Sequence, residues 1–313
     1  MNPDVSVIIP TYNRPSVLAA VESVMAQRAA HFELIVVDDG STDDTWHQLE
    51  LIAPHARGVM RLLRTPHRGV AAARNAGLAI ATAGLVAFLD SDDLWAPDKL
   101  VRQVEFMSQN PRCVLSQTGE TWIRNGRRVN PGLRHAKRAG DIFSDSLRTC
   151  LVSPSASIVR TEYLREMGGF DEDMTAAEDY DLWLRILVNH EAGLIDEPLV
   201  TRHAGHPDQL SFSVPAIDRF RILALLKLLA RDDLSIRRRE VCAVLSEKCA
   251  IYAKGLTRRG RESESRFVLG LADAARGSWM VETDENLSSA IATMRALPKR
   301  SPAADEASRD YIR

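Results

Sequence analysis

Three carboxylates close a short apolar run at Leu85-Val86-Ala87-Phe88-Leu89-Asp90-Ser91-Asp92-Asp93. Two acids one residue apart can offer hard oxygen ligands to Mg2+ or Mn2+, and such an ion usually completes its shell with substrate phosphate. An unpaired carboxylate at the edge of a core is costly. A helix cap accounts for one acid at most, Asp92 or Asp93 ahead of the helix that Pro97 begins. A second acidic pair, Asp38-Asp39, follows the apolar run Leu34-Ile35-Val36-Val37. A third, Glu178-Asp179, opens an amphipathic segment, where a helix dipole also favours negative charge. His203 and His206 form a His-x-x-His without a nearby Cys or third His, so zinc is disfavoured. One imidazole could instead reach a metal or a pyrophosphate.

These groups need a scaffold. Val5–Ile9 reads as a strand stopped by Pro10, followed by the loop Thr11-Tyr12-Asn13-Arg14 and a helix from Pro15 to about Gln27. Strands at 33–37, 59–63 and 85–89 alternate with helices, the first capped by Ser41 or Thr42 with Asp43 and Asp44 in its opening turn. The next runs from Gly69 to Ala83 and is rich in small residues that allow close packing on a sheet. The order predicts an α/β fold, a Rossmann-like, mostly parallel sheet with helices on both faces. No Gly-x-Gly-x-x-Gly follows the first strand, which disfavours a dinucleotide site. If the first, second and fourth strands are neighbours, Thr11-Tyr12, Asp38-Asp39 and Asp90-Ser91-Asp92 converge on one crevice at their carboxyl ends. An acid there can accept from a ribose hydroxyl or a base N–H.

A helix at about 97–109 follows. Then the pattern turns to strands and loops: Cys113–Thr118, a hairpin over 121–129 around Asn125-Gly126, a basic loop at 130–140, a strand at 155–159 and a short helix capped by Thr161. This half reads as the acceptor side. From 215 the chain reads as an all-helical extension, with helices near 216–231, 235–257, 260–276 and 283–297, and a loose tail at 298–313. The domains expected are thus 1–214, divided at about 110, then 215–297.

The chain has 313 residues, 45% hydrophobic and 26% charged, with a net charge of −2, which excludes an obvious nucleic-acid binder. Residues 215–313 hold 19 Lys and Arg against 14 Asp and Glu, a net of +5. That excess suggests peripheral membrane contact or self-association through the helical extension. Four scattered cysteines, no signal peptide in Met1-Asn2-Pro3-Asp4 and no apolar run of membrane length predict a cytoplasmic protein, at most at the inner membrane face.

Five stretches, in order, resemble a family 2 glycosyltransferase of the GT-A fold. They are Val7–Arg14, Val36–Asp43, Ala73-Arg74-Asn75-Ala76-Gly77, Leu89–Asp93 and Glu178–Trp183. The resemblance covers about residues 4–212. It implies a metal-dependent, inverting transfer of a sugar from a nucleotide-sugar donor, UDP-linked by preference, to the hydroxyl of a saccharide or lipid-linked acceptor in surface polysaccharide or glycoconjugate synthesis. It further implies that Pro10, Thr11 and Tyr12 line the nucleoside pocket. Asp39 would hydrogen-bond the base, Arg74 would serve the donor site and Asp90 would hold its ribose side. Asp92 would ligate Mn2+ or Mg2+, with His206 or His203 near the diphosphate. Asp179, with Glu178 beside it, would be the base that activates the acceptor. The Gln-x-x-Arg-Trp motif of processive synthases is missing, which implies one transfer per encounter. Two alternatives stand: a catalytically silent nucleotide-sugar-binding protein, and a nucleotidyltransferase. The latter would carry a Gly-rich basic loop where Pro10-Thr11-Tyr12-Asn13-Arg14 stands.

Overall fold

The computed structural model describes residues 3–56, 59–130, 132–205, 217–280 and 286–297. The chain divides into two compact units, 1–209 and 210–313. In the first, the elements run β1 (Val5–Thr11), α1 (Val17–Met25), β2 (Phe32–Asp38), α2 (Thr45–Ile52), β3 (Met60–Arg64), α3 (Val70–Ile80), β4 (Leu85–Phe88), β5 (Leu94–Trp95) and α4 (Lys99–Gln109). There follow β6 (Leu115–Arg124), β7 (Arg127–Val129), α5 (Phe143–Arg148), β8 (Ser157–Arg160), α6 (Thr161–Glu166), α7 (Glu178–Leu187) and β9 (Ala192–Ala204). Among the described residues they form one nine-stranded sheet, ordered β3-β2-β1-β4-β8-β6-β9-β5, with β7 on β6. The strands β3, β2, β1 and β4 are parallel. Beyond β4 the sheet is mixed, with β8 antiparallel to both β4 and β6.

Successive residues of a strand face opposite sides of the sheet. Val5, Val7 and Ile9 join Leu34, Val36, Leu85, Ala87 and Leu89 in a core with Val17, Val21 and Val24 of α1 and Leu100 and Met107 of α4. Ile8 points the other way, onto α3, where a Cβ on Gly77 would stand 2.6 Å from Ile8 Cγ2. Helices therefore cover both faces, and the small residues of α3 set its close approach.

Four details depart from the sequence reading. Pro10 does not stop β1; it pairs in register with Val37 and the strand continues to Thr11. The reason is its direction. Ile8 O accepts the Leu89 N–H (3.0 Å) and Thr11 O accepts the Asp39 N–H (2.9 Å), so alternate residues face β4 and β2. Pro10 faces the β4 side, where the ladder has ended at Phe88, and its missing N–H costs nothing there. Asp43 and Asp44 precede α2, and Asp43 Oδ1 accepts the Thr45 N–H at 3.0 Å. Thr161 caps nothing: it is the first residue of α6, and its hydroxyl donates to Ala83 O (2.7 Å). The separate strand at 113–118 and first arm of the hairpin are one strand, β6, broken only by a bulge at Thr118-Gly119-Glu120.

The second unit is helical: α8 (Asp218–Leu229), α9 (Arg238–Thr257), α10 (Glu262–Arg276) and α11 (Leu287–Ala296). Its buried Leu225, Leu226, Leu245, Cys249, Val268 and Met294 supply the apolar interior. Several arginines close helix ends. Arg219 Nη2 donates to Arg295 O (3.0 Å) and Arg238 Nη2 to Leu229 O (2.9 Å), satisfying carbonyls that a helix end leaves open. No helix among the described residues is long and apolar enough to cross a membrane. The expected boundary at 214–215, the tail from 298 and His206 lie outside the described residues.

Candidate active site

The order β2-β1-β4 makes the three polar strand ends neighbours, and Thr11 lies in register with Asp38. Pro10 and Thr11 are buried, whereas Tyr12 is 40% exposed and stacks on His67 with ring centroids 3.8 Å apart. Asp38 is buried and structural: its Oδ1 accepts the Ser41 N–H (2.9 Å) and lies 3.4 Å from Arg64 Nε. Asp39 clamps the loop that enters α3. It accepts the N–H groups of Arg68 (2.9 Å) and Gly69 (2.7 Å), and its Oδ2 lies 2.8 Å from His67 Nδ1. The Thr65 hydroxyl also lies 3.4 Å from Oδ1, so these four groups take up about the four acceptor positions of a carboxylate, and a further N–H donor would displace one of them.

Arg74 projects from α3 into the site and is almost wholly buried. Its Nη2 donates to Asp90 Oδ1 (2.7 Å) and its Nη1 to Glu178 Oε1 (2.6 Å). The guanidinium lies over the Phe170 ring at 5.1 Å. Burial works against its charge, but Asp90 and Glu178 outweigh burial and raise its proton affinity. Asn75, next in sequence, holds Phe170 from both sides: Nδ2 donates to Phe170 O (2.8 Å) and Oδ1 accepts the Phe170 N–H (2.9 Å). One turn of α3 thus ties the end of β4 to the start of α7, through Arg74 and Glu178, which are 104 residues apart in the chain.

Asp92 keeps a carboxylate with 24% exposure, 3.4 Å from Arg14 Nη1. His203 Nδ1 lies 2.8 Å from Asp92 O. A carbonyl only accepts, so Nδ1 carries the proton and a neutral ring leaves Nε2 as the lone pair. Asp93, not assigned a role from the sequence beyond a cap, is the buried member of the trio. It accepts the Ser155 hydroxyl (2.6 Å) and the His203 N–H (3.0 Å), fastening β9 beside the acids. Burial, then Asp90 and Asp92, push its carboxyl well above the ordinary range. Among the described residues no three His, Cys, Asp or Glu side chains form a ready cation site. The donor set still suits Mg2+ or Mn2+, which needs few protein ligands when a diphosphate supplies the rest.

The two acids opening α7 differ. Glu178 is 5% exposed and engaged by Arg74. Burial, with Asp179 adding, raises its carboxyl above the ordinary range against the pull of Arg74. Asp179 is half-buried; its Oδ1 accepts the Tyr180 N–H (2.7 Å), and Oδ2 lies 3.7 Å from Cys150 Sγ. Ala177, just before them, holds a left-handed φ of 57°, a strained setting for a residue with a Cβ.

Sequence reasoning missed a cluster from the later half of the first unit. Glu120, on the β6 bulge, accepts from Trp122 Nε1 (2.9 Å), Ser153 Oγ and Lys137, whose Nζ is 3.1 Å from Oε1. Against burial, Lys137 and Arg202 hold Glu120 down at about 2. Burial pushes Lys137 below its ordinary value. Arg202 lies 4.8 Å over the Trp122 ring and stays charged against burial through Glu120, Asp93, Asp90 and Asp179. A signal existed: a cation two rungs from a strand end, beside His203.

The model of glycosyl transferase family 2 matches residues 6–168. A UDP-Glc:alpha-D-GlcNAc-diphosphoundecaprenol beta-1,3-glucosyltransferase of Escherichia coli, WfaP, is 40% identical over 184 residues, 58% of this chain and 70% of that protein. A glycosyltransferase of Rickettsia felis is 34% identical over 196 residues, 62% of this chain, which spans about a third (32%) of that protein's length. Among solved structures, S. aureus TarS 1-349 in complex with UDP superposes with a TM-score of 0.68 at 20% identity, covering 100% of this chain and 93% of TarS 1-349. The mannosyltransferase PcManGT from Pyrobaculum calidifontis, in complex with GDP-Man and Mn2+, gives 0.56 at 21% identity, covering 98% and 84%. The likeness to these two shows a shared GT-A-like fold. The chain belongs to glycosyl transferase family 2.

Proposed function

We propose that this chain is an inverting glycosyltransferase that takes a hexose from a UDP-sugar and delivers it to the hydroxyl of a lipid-linked saccharide. The observation that carries this reading is the Asp90–Arg74–Glu178 bridge, which joins the Asp-x-Asp strand end to the helix bearing Asp179. It favours one crevice holding both donor acids and a base. The UDP-Glc donor and diphosphoundecaprenol acceptor of the E. coli relative, and the UDP of the TarS structure, support the donor and acceptor classes.

In this reading Tyr12 and Asp39 meet the nucleoside, and Asp90, oriented by Arg74, meets the ribose. Asp92 and the Nε2 of His203 would hold a Mn2+ or Mg2+ ion, which supplies Lewis acidity to the leaving diphosphate. Arg202 adds a fixed positive charge beside the same acids. Asp179 takes the proton of the acceptor hydroxyl, since it is only half-buried whereas Glu178 is buried and held by Arg74, and a single displacement then inverts the anomeric centre. Glu178 positions Arg74 instead. A base and the donor acids within one crevice also disfavour a silent binder.

Calorimetric titration of UDP, GDP and dTDP, with and without Mn2+, tests the proposal. Metal-dependent binding of UDP, lost in Asp92→Ala, is the expected result. Tight binding of GDP or dTDP instead overturns the uridine assignment, and no binding to any of them in a folded protein overturns the transferase reading.

A further inference from the structure

Tyr12 and Asp39, the two side chains that the proposed function gives to the nucleobase, already meet one ring of the chain itself. The imidazole of His67 lies flat on the Tyr12 ring, with centroids 3.8 Å apart and planes 17° from parallel. Its Nδ1 stands 2.8 Å from Asp39 Oδ2 and 3.1 Å from Asp39 O. A carbonyl only accepts, so Nδ1 carries the proton and donates within this reach. A flat ring on a tyrosine with one ring N–H turned to a carboxylate is also what a nucleobase would present there.

The fold holds His67 at this place. Gly40 has a φ of 75°, and a Cβ on it would stand 2.8 Å from His67 N and 3.4 Å from His67 Cβ. Glycine therefore lets the chain after β3 lie against the turn after β2. The Thr65 N–H, donating to Asp38 O (2.9 Å), fastens the same stretch. The other donors to Asp39 are poorer candidates to yield. Arg68 and Gly69 give backbone N–H groups, at 2.9 and 2.7 Å, from the loop that enters α3. The Thr65 hydroxyl is 3.4 Å away, so its departure would release little. The His67 side chain is 52% exposed and can turn into water while its backbone stays in place. Its departure opens one acceptor position on Asp39 and one face of Tyr12 in a single step.

We infer that His67 is an internal competitor for the nucleobase: it holds the two contacts that the base needs, and an incoming base displaces it toward solvent. The side chain at position 67 then sets the affinity for the nucleoside half of the donor. The inference rests on the reading of Tyr12 and Asp39 as the nucleoside pocket.

The test is calorimetric titration of the full chain with UDP and with inorganic pyrophosphate, each with Mn2+, in the wild type, His67→Ala and His67→Asn. His67→Ala removes both internal contacts and should bind UDP about tenfold more tightly, the worth of one hydrogen bond to a charged group. His67→Asn keeps an N–H for Asp39 but puts no ring on Tyr12, and should gain about threefold. Pyrophosphate has no base, so its affinity should be alike in all three. In the wild type, nuclear Overhauser contacts between the His67 and Tyr12 rings should vanish at saturating UDP, a readout that does not depend on how the variants fold. Equal or weaker UDP binding by His67→Ala overturns the inference, as does an equal gain for pyrophosphate. Ring contacts that persist while UDP binds overturn the inference alone and leave the transferase reading standing. Binding of pyrophosphate but of no nucleoside diphosphate, by the wild type and His67→Ala alike, overturns the nucleoside pocket and this inference together.

Discussion

Replacing Arg74 by Met keeps the length of the side chain and removes its charge. Two carboxylates then lose their shared cation. Glu178 loses the 2.6 Å bond in a setting where both partners are nearly inaccessible, with 4% and 6% side-chain exposure. Breaking such a buried pair from one side costs about 3–5 kcal/mol, because it strands the remaining charge. Asp90 is 29% exposed and water takes over much of its solvation, so its share is small. The expected loss is about 4 kcal/mol, or roughly 8–15 °C in the unfolding temperature of a unit of this size. Glu178→Gln leaves Arg74 its bond to Asp90 and should cost about 2 kcal/mol. The double variant removes both members and should cost at least about 2 kcal/mol less than the sum of the singles. Arg74→Lys should not rescue, since a single ammonium cannot span both carboxylates. Thermal unfolding with amide exchange in α3 and α7 reads these values within the first unit. Additivity within about 0.5 kcal/mol, or a loss under about 1 kcal/mol for Arg74→Met, would refute the view that this bridge holds β4 to α7.

Asp179→Asn should lower turnover by about 10²- to 10⁴-fold and leave UDP affinity, read by calorimetry, unchanged. Gly77→Ala places a methyl against Ile8, a stiff β-branched side chain in the sheet centre, and should destabilise the first unit by about 1–3 kcal/mol in urea unfolding. Ala177→Gly relieves the left-handed backbone before Glu178 and should stabilise by up to about 1 kcal/mol in the same assay. Glu120, held at about 2 when folded, contributes stability present above its ordinary value of 4.5 and lost as pH falls toward 2. The full contribution is about 3 kcal/mol, and Lys137→Met should shift the loss, followed by unfolding against pH, to higher pH.

The strands were legible because the parallel strands are mostly apolar, with Ser6 in β1, Glu33 in β2 and Arg61 in β3 as the interruptions, and the condition that the first, second and fourth be neighbours is met by the sheet order. What escaped was set by partners distant in sequence. Gly119-Glu120 reads as the end of a strand, since neither residue favours a sheet interior. In the structure they form a bulge: a Cβ on Gly119 would stand 2.8 Å from Glu197 O, so only glycine lets β9 come that close. The bulge turns Glu120 inward to Lys137, a residue of the basic loop. Arg74 stood in a recognised motif, yet its task depends on Glu178, which no local pattern connects to it. The same holds for the acids of α7. In sequence, Glu178 and Asp179 are equivalent residues at a helix start. One residue of helix turns a carboxylate by about 100°, which is enough to send Glu178 into the buried cation and leave Asp179 facing Cys150 and the crevice. The division of labour between two adjacent acids is therefore decided by what α3 places behind them, and a helix facing the sheet without Arg74 would leave both as ordinary first-turn carboxylates.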